Sequence, residues 1–142
     1  MSVIEKLKQL QADSQVFYFK LHNLHWNVKG MMFEPIHLKT EALYNEFAVI
    51  FDDIAERQLQ LRSEPIVTMQ EALKVSQIKE IEKSSFNASE VVQTLITDLD
   101  HFYTAFKQLS EASDNDSTTA AYADDKIAWL EKELWMLRSM ME

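Results

Sequence analysis

A single glycine, Gly30, and two prolines, Pro35 and Pro65, are all the backbone punctuation in 142 residues. Sheets and their tight turns draw on both residue types at nearly every reversal, so a chain this poor in them is confined to long helices joined by few loops. Where they stand matters as much as their scarcity. Gly30 and Pro35 bracket one break in the chain and Pro65 marks another. The 46% of apolar residues is enough for one compact core, so residues 1–142 are expected to form a single domain.

The apolar residues repeat with helical period. Ile4, Leu7, Leu10, Phe17, Leu21, Leu24 and Val28 form one stripe over residues 3–28, and Gly30 follows where a left-handed C-terminal cap is wanted. Pro35 suits the first turn of a second helix over 35–62, whose stripe runs through Leu43, Phe47, Ile50, Ile54 and Leu61. The pattern weakens from Ser63 to Ala88, apart from a short helix at about 69–75 opened by Thr68 and Glu71 as a capping box. Asn87 with Glu90 starts a third long helix, and a polar break at Asp114–Ser117 precedes a fourth that carries Ile127, Leu130, Leu134, Leu137 and Met141. Short first and last links require antiparallel neighbours, whereas the long middle connection can travel the length of a bundle. The expected fold is all-α: a four-helix bundle of ferritin-like connectivity with a short extra helix in the crossing.

Composition excludes several function classes. Without cysteine there are no disulfides, thiolate nucleophiles or zinc–thiolate sites, which fits a reducing cytoplasm. The first residues hold no apolar run of signal-peptide length, and no segment approaches the roughly 20 apolar residues of a membrane span, so a cytoplasmic protein without a membrane partner is expected. Fourteen Lys and Arg against 23 Asp and Glu give a formal charge of −9, which disfavours polyphosphate and suits a cationic substrate.

Residues 22–57 concentrate the chemistry. His25 closes the first helix, His37 opens the second, and Asp52 and Glu56 lie one turn apart further along it. Either His25 or the Asp52–Asp53 pair alone would be read as ordinary: a helix-end imidazole favoured by the dipole, a solvated acidic face. Two imidazoles with two carboxylates are instead a ligand set for iron, manganese or zinc. His37 is 15 residues from Asp52 and 19 from Glu56, about 22 and 28 Å along a continuous helix, so one ion cannot touch both ends. The angular offsets are only about 60° and 100°, so both ends point to broadly the same side. A second copy packed antiparallel across a two-fold axis would bring one chain's His37 beside the other's Asp52 and Glu56. The spacing therefore suggests a site between subunits rather than in the bundle core. His22 is expected to make a structural hydrogen bond, His101 to be solvated, Trp26 to pack, and Met136, Met140 and Met141 to be packing or tail residues.

The segments HNLHWNVKG at 22–30, FEPIH at 33–37, FDDIAER at 51–57, and YADD and LWML in the last helix resemble the Dps family, the miniferritins named as DNA-binding proteins from starved cells. The resemblance covers nearly the whole chain. It implies a hollow twelve-subunit shell that oxidises Fe(II), preferentially with hydrogen peroxide, and stores ferric mineral, protecting the cell from oxidative damage. It further implies a dinuclear iron site with His25 and His37 from one subunit and Asp52 and Glu56 from its two-fold partner, Glu56 bridging toward a weaker second position that Glu41 assists. Acids of the last helix, here Asp124, Asp125 and Glu131, line an entry pore in that family. Where the family's second helix often ends in glycines, this chain has Arg62, Ser63 and Glu64. The alternative function is DNA binding and compaction. The family's lysine-rich terminal extension is reduced here to Lys6 and Lys8 within the first helix, so DNA is not the favoured partner.

Overall fold

The computed structural model describes residues 1–142 and consists of helices α1 (Val3–Asn27), α2 (Phe33–Gln60), α3 (Met69–Val75), α4 (Ala88–Ala112) and α5 (Ser117–Met141). Local chemistry explains most boundaries. Ser2 and Glu5 form a reciprocal capping box at the start of α1, and Asn87 and Glu90 form another at α4. Thr68 accepts from the Glu71 N–H at α3, which is the Thr68 half of the expected box, and Asp116 accepts from the Thr119 N–H at α5.

Side-chain pairs give the helix directions. Along α2, Lys39, Glu46, Asp53 and Arg57 meet Glu133, Lys126, Tyr122 and Asp116 in turn, so α2 and α5 run antiparallel. Lys20 and Asp13 of α1 meet Asp98 and His101 of α4 in opposite order, so α1 and α4 are antiparallel as well. Helices α2 and α4 are therefore parallel, as the long crossing requires. That crossing lies along α1 in the same direction: Gln11 brackets Ile66, Asp13 holds Gln77, Asn23 donates to Ile81, and Val28 pairs with Phe86 in an isolated parallel bridge. No helix is long and apolar enough to cross a membrane.

At the centre, Phe17, Phe47 and Phe102 meet edge-on or tilted, with ring centroids 4.6 to 5.3 Å apart, inside a cluster of 25 buried residues contributed by the four long helices and the crossing.

Two helix ends are made differently from the usual glycine cap. Gly30 does have a positive φ of 107°, but it does not cap α1. The helix stops at Asn27 because Val28 turns extended to pair with Phe86, while Gly30 presents its carbonyl to the Phe33 N–H and so makes the turn into α2. At the end of α2 the left-handed residue is Arg62, with φ 64°. Its N–H bonds the Leu59 carbonyl and the Ser63 N–H bonds the Gln58 carbonyl, both at 2.9 Å, which is a Schellman motif made without glycine.

Candidate metal centre

The tight turn after α1 places its last turn against the second turn of α2, so His25 and His37 meet. Their imidazoles stack with centroids 3.7 Å apart and planes 14° from parallel. The Nδ1 of His25 lies 2.7 Å from the His37 carbonyl oxygen and 3.1 Å from Thr40 Oγ1, and the Nδ1 of His37 lies 2.9 Å from the His25 carbonyl oxygen. A carbonyl oxygen can only accept, so each Nδ1 carries the hydrogen and each Nε2 is left with a lone pair. The tautomer a metal needs is thus set by the main chain. Thr40, fully buried, donates its hydroxyl to the Ile36 carbonyl at 2.8 Å and offers its oxygen to His25.

The surroundings fix these rings further. Phe33 stacks on His37 at 4.9 Å, and Tyr44 meets His25 edge-on at 5.2 Å while stacking on His22 at 3.9 Å. Burial pushes the His25 pKa below its ordinary value, so the ring is neutral at pH 7, the state in which imidazole is a ligand.

One turn after His37, Glu41 completes a group in which the donor atoms of His25, His37 and Glu41 all lie within 4.8 Å of one another; no other set of three or more possible ligands is this close. Asp52 and Glu56 are exposed near the far end of α2, about 22 and 28 Å from His37 along the helix axis. Within one chain the four predicted ligands thus fall into two separate halves. Beside the carboxylate half, Asp53 accepts from the Tyr122 hydroxyl, and Arg57 donates to Thr119 in the first turn of α5 and to its N-cap residue Asp116.

Both halves adjoin an uncovered face. Leu38, Ala42, Asn45, Val49, Asp52, Glu56 and Leu59 recur at alternating spacings of four and three along α2, and all are exposed. Leu38, Val49 and Leu59 are 55%, 51% and 58% exposed, an apolar seam that no other element of the chain covers.

Other expectations fare differently. His22 makes the structural bond expected, Nδ1 to the Tyr18 carbonyl at 2.8 Å. His101 is not simply solvated: its Nε2 lies 2.8 Å from the fully buried carboxylate of Asp13, and that bond raises its pKa above the ordinary value. Eighty-eight residues separate the two, beyond the reach of any local pattern. Trp26 is 56% exposed rather than packed. Glu34 stands three residues before His37, the spacing of a bundle-core Glu-x-x-His pair, yet it is exposed and outside the donor cluster. Asp124, Asp125 and Glu131 are all exposed on α5, where Asp124 accepts from Ser110 and Glu131 from Tyr103.

Comparison with known proteins agrees with this architecture. The family described as a ferritin-like domain matches residues 4–142. The chain is 44% identical over 141 residues to the DNA protection during starvation protein of Helicobacter pylori, covering 98% of each chain. Among solved structures it superposes on Helicobacter cinaedi CAIP with TM-score 0.98 and 49% identity, covering 99% of this chain and 100% of that one. It also superposes on the Vibrio cholerae Dps protein, described as a member of a superfamily of ferritin-like diiron-carboxylate proteins, with TM-score 0.93 and 30% identity over 99% of this chain and 89% of that one. The chain belongs to the Dps family of ferritin-like proteins.

Proposed function

We propose that this protein is a ferroxidase and iron store that takes Fe(II) and hydrogen peroxide as substrates and holds the ferric product inside a twelve-subunit shell. The observation that carries the reading is the His25–His37 pair, whose two Nε2 lone pairs are left free for a metal by reciprocal main-chain bonds, on the same chain as an uncovered helix face bearing Asp52 and Glu56. In this reading the face is covered by a two-fold copy of itself, so that the two imidazoles of one subunit and the two carboxylates of the next surround a pair of iron ions.

The residues divide the work. His25 and His37, neutral and held in one tautomer, retain Fe(II); Asp52 and Glu56, as hard oxygen donors, favour Fe(III) and so pull the oxidation forward. Glu56 bridges toward the second ion. Two Fe(II) held side by side supply both electrons that one peroxide requires: the O–O bond breaks, two protons are consumed, and two Fe(III) and two waters form without release of hydroxyl radical. A formal charge of −9 favours Fe(II) arrival and gives no comparable support to DNA compaction, the second role that the names of relatives suggest.

The decisive experiment loads the assembled protein with Fe(II) anaerobically and adds peroxide in measured pulses, with shell size followed by light scattering. Consumption of about two Fe(II) per peroxide is expected. A ratio near one, with abundant hydroxyl-radical adducts, would overturn the proposal.

A further inference from the structure

We propose that Met31 and Met32, the paired thioethers of the turn between α1 and α2, are sulfoxidation sites at which hydrogen peroxide is reduced without iron. Each event is a two-electron oxygen-atom transfer: the O–O bond breaks, one peroxide oxygen becomes the sulfoxide oxygen on Sδ, and the other leaves as water with both protons. The inference goes beyond the proposed ferroxidase and stands apart from it, since no metal takes part.

Methionine is ordinarily among the residue types most often fully buried. None of the seven in this chain belongs to the core: Met136 is half-buried and the other six are exposed. The core is built from Leu, Ile, Val, Phe and Ala instead. Oxidation turns a flexible apolar side chain into a polar one and disrupts packing wherever the thioether is buried. Here no sulfoxide would fall inside the core.

Position separates Met31 and Met32 from the rest. Met1, Met140 and Met141 stand at the chain ends, where Met141 Sδ already lies 4.0 Å from Ser89 Oγ, and Met69 opens the short α3. Met31 and Met32 ride on an internal turn fixed by main-chain bonds, from the Lys29 N–H to the Phe86 carbonyl at 2.8 Å and from the Phe33 N–H to the Gly30 carbonyl at 3.1 Å. Both are exposed, Met31 fully. Met32 is also the N-cap residue of α2, and its side chain caps nothing. The Glu34 N–H in that first turn has no acceptor in the chain, and Pro35 has no N–H to offer. A sulfoxide oxygen on Met32 would supply an acceptor at the positive end of the helix, so oxidation adds a capping group where the thioether gives none. The protein is therefore expected to keep its fold when these two sulfurs are oxidised.

The test exposes the assembled, metal-free protein to excess hydrogen peroxide and maps sulfoxides against time by peptide mass spectrometry. Met31 and Met32 are expected to oxidise at least about fivefold faster than Met136, and light scattering and thermal unfolding should show an intact shell once both are converted. A variant carrying Met31→Leu and Met32→Leu, which keeps side-chain volume, is expected to consume about two fewer peroxides per chain. Treatment with a methionine sulfoxide reductase should remove the added oxygen from both residues. Sulfoxide appearing at Met136 as early as at Met31 and Met32 would overturn the inference, as would dissociation or unfolding of the shell when only these two are oxidised. The Fe(II)-per-peroxide ratio, measured on the same Leu variant, tests the proposed function alone, so either reading can fail without the other.

Discussion

His25 and His37 each donate an Nδ1 hydrogen to the other's main-chain carbonyl, across 2.7 and 2.9 Å. Neither ring can rotate without breaking its bond, so the main chain orients the pair.

Thr40 supports that arrangement through its contact of 3.1 Å with His25 Nδ1. Thr40→Val keeps the volume and removes the oxygen. The fold is expected to survive while divalent-ion affinity falls about tenfold, as for other residues that orient a metal-binding histidine. A Co(II) titration checks this; unchanged affinity would mean the His37 carbonyl alone orients the ring.

Sharing of the site between subunits is open to complementation. Subunits with His25→Ala and His37→Ala, and subunits with Asp52→Ala and Glu56→Ala, should each form nearly inactive shells. In a mixed two-fold pair one site regains all four ligands and the other has none. Random mixing in equal amounts makes half the pairs mixed, so about a quarter of wild-type ferroxidase activity should return. Verified co-assembly with no recovery would refute the shared site.

Arg62 holds a left-handed conformation that crowds its Cβ. Arg62→Gly should relieve this, and part of the gain should be lost to the greater freedom of glycine in the unfolded chain. A net stabilisation of about 0.5–1 kcal/mol is expected, measured by denaturant unfolding of the metal-free protein. Destabilisation would show that contacts of the Arg62 side chain outweigh the strain.

The His101–Asp13 pair predicts a pH dependence of definite sign. The bond to Asp13 raises the His101 pKa above its ordinary 6.5. A raised folded-state pKa contributes stability that is fully present below the unfolded value and is lost as pH rises through the folded one. The stability difference between wild type and His101→Gln should therefore be largest at about pH 6 and narrow by about pH 9. Thermal unfolding of both proteins across that range measures it, and a difference that widened with pH would contradict the assignment.

These cases mark where sequence reading succeeds and stops. Asn87, Thr68 and the helical stripes were legible because caps and amphipathic faces are local, decided within a turn or two. Gly30 was misjudged because a left-handed residue is a property of the turn it closes, and Arg62 shows that glycine is the usual rather than the necessary choice there. The His101–Asp13 pair depends on how the crossing seats on α1, which no local spacing encodes. The placing of His25 and His37 at the junction of two helices was legible from their positions, and so was their separation from Asp52 and Glu56. The mutual carbonyl bonds of the rings were not, since they arise only when the turn after α1 folds back.

The length of α2 between its two ligand ends is a ruler. In an antiparallel pair of such helices the two identical centres would stand about 22–28 Å apart, the distance from a chain's own histidine to its own carboxylates. At that separation no small oxidant could touch both centres, so in the proposed assembly each would have to gather its own ions. The same ruler forbids slippage: one residue inserted between His37 and Asp52 would advance the carboxylates by about 1.5 Å and turn them by about 100°, facing them away from the neighbour they are meant to serve. Insertions of whole heptads would restore the direction but lengthen the gap by about 10 Å, and so would also require a different quaternary packing.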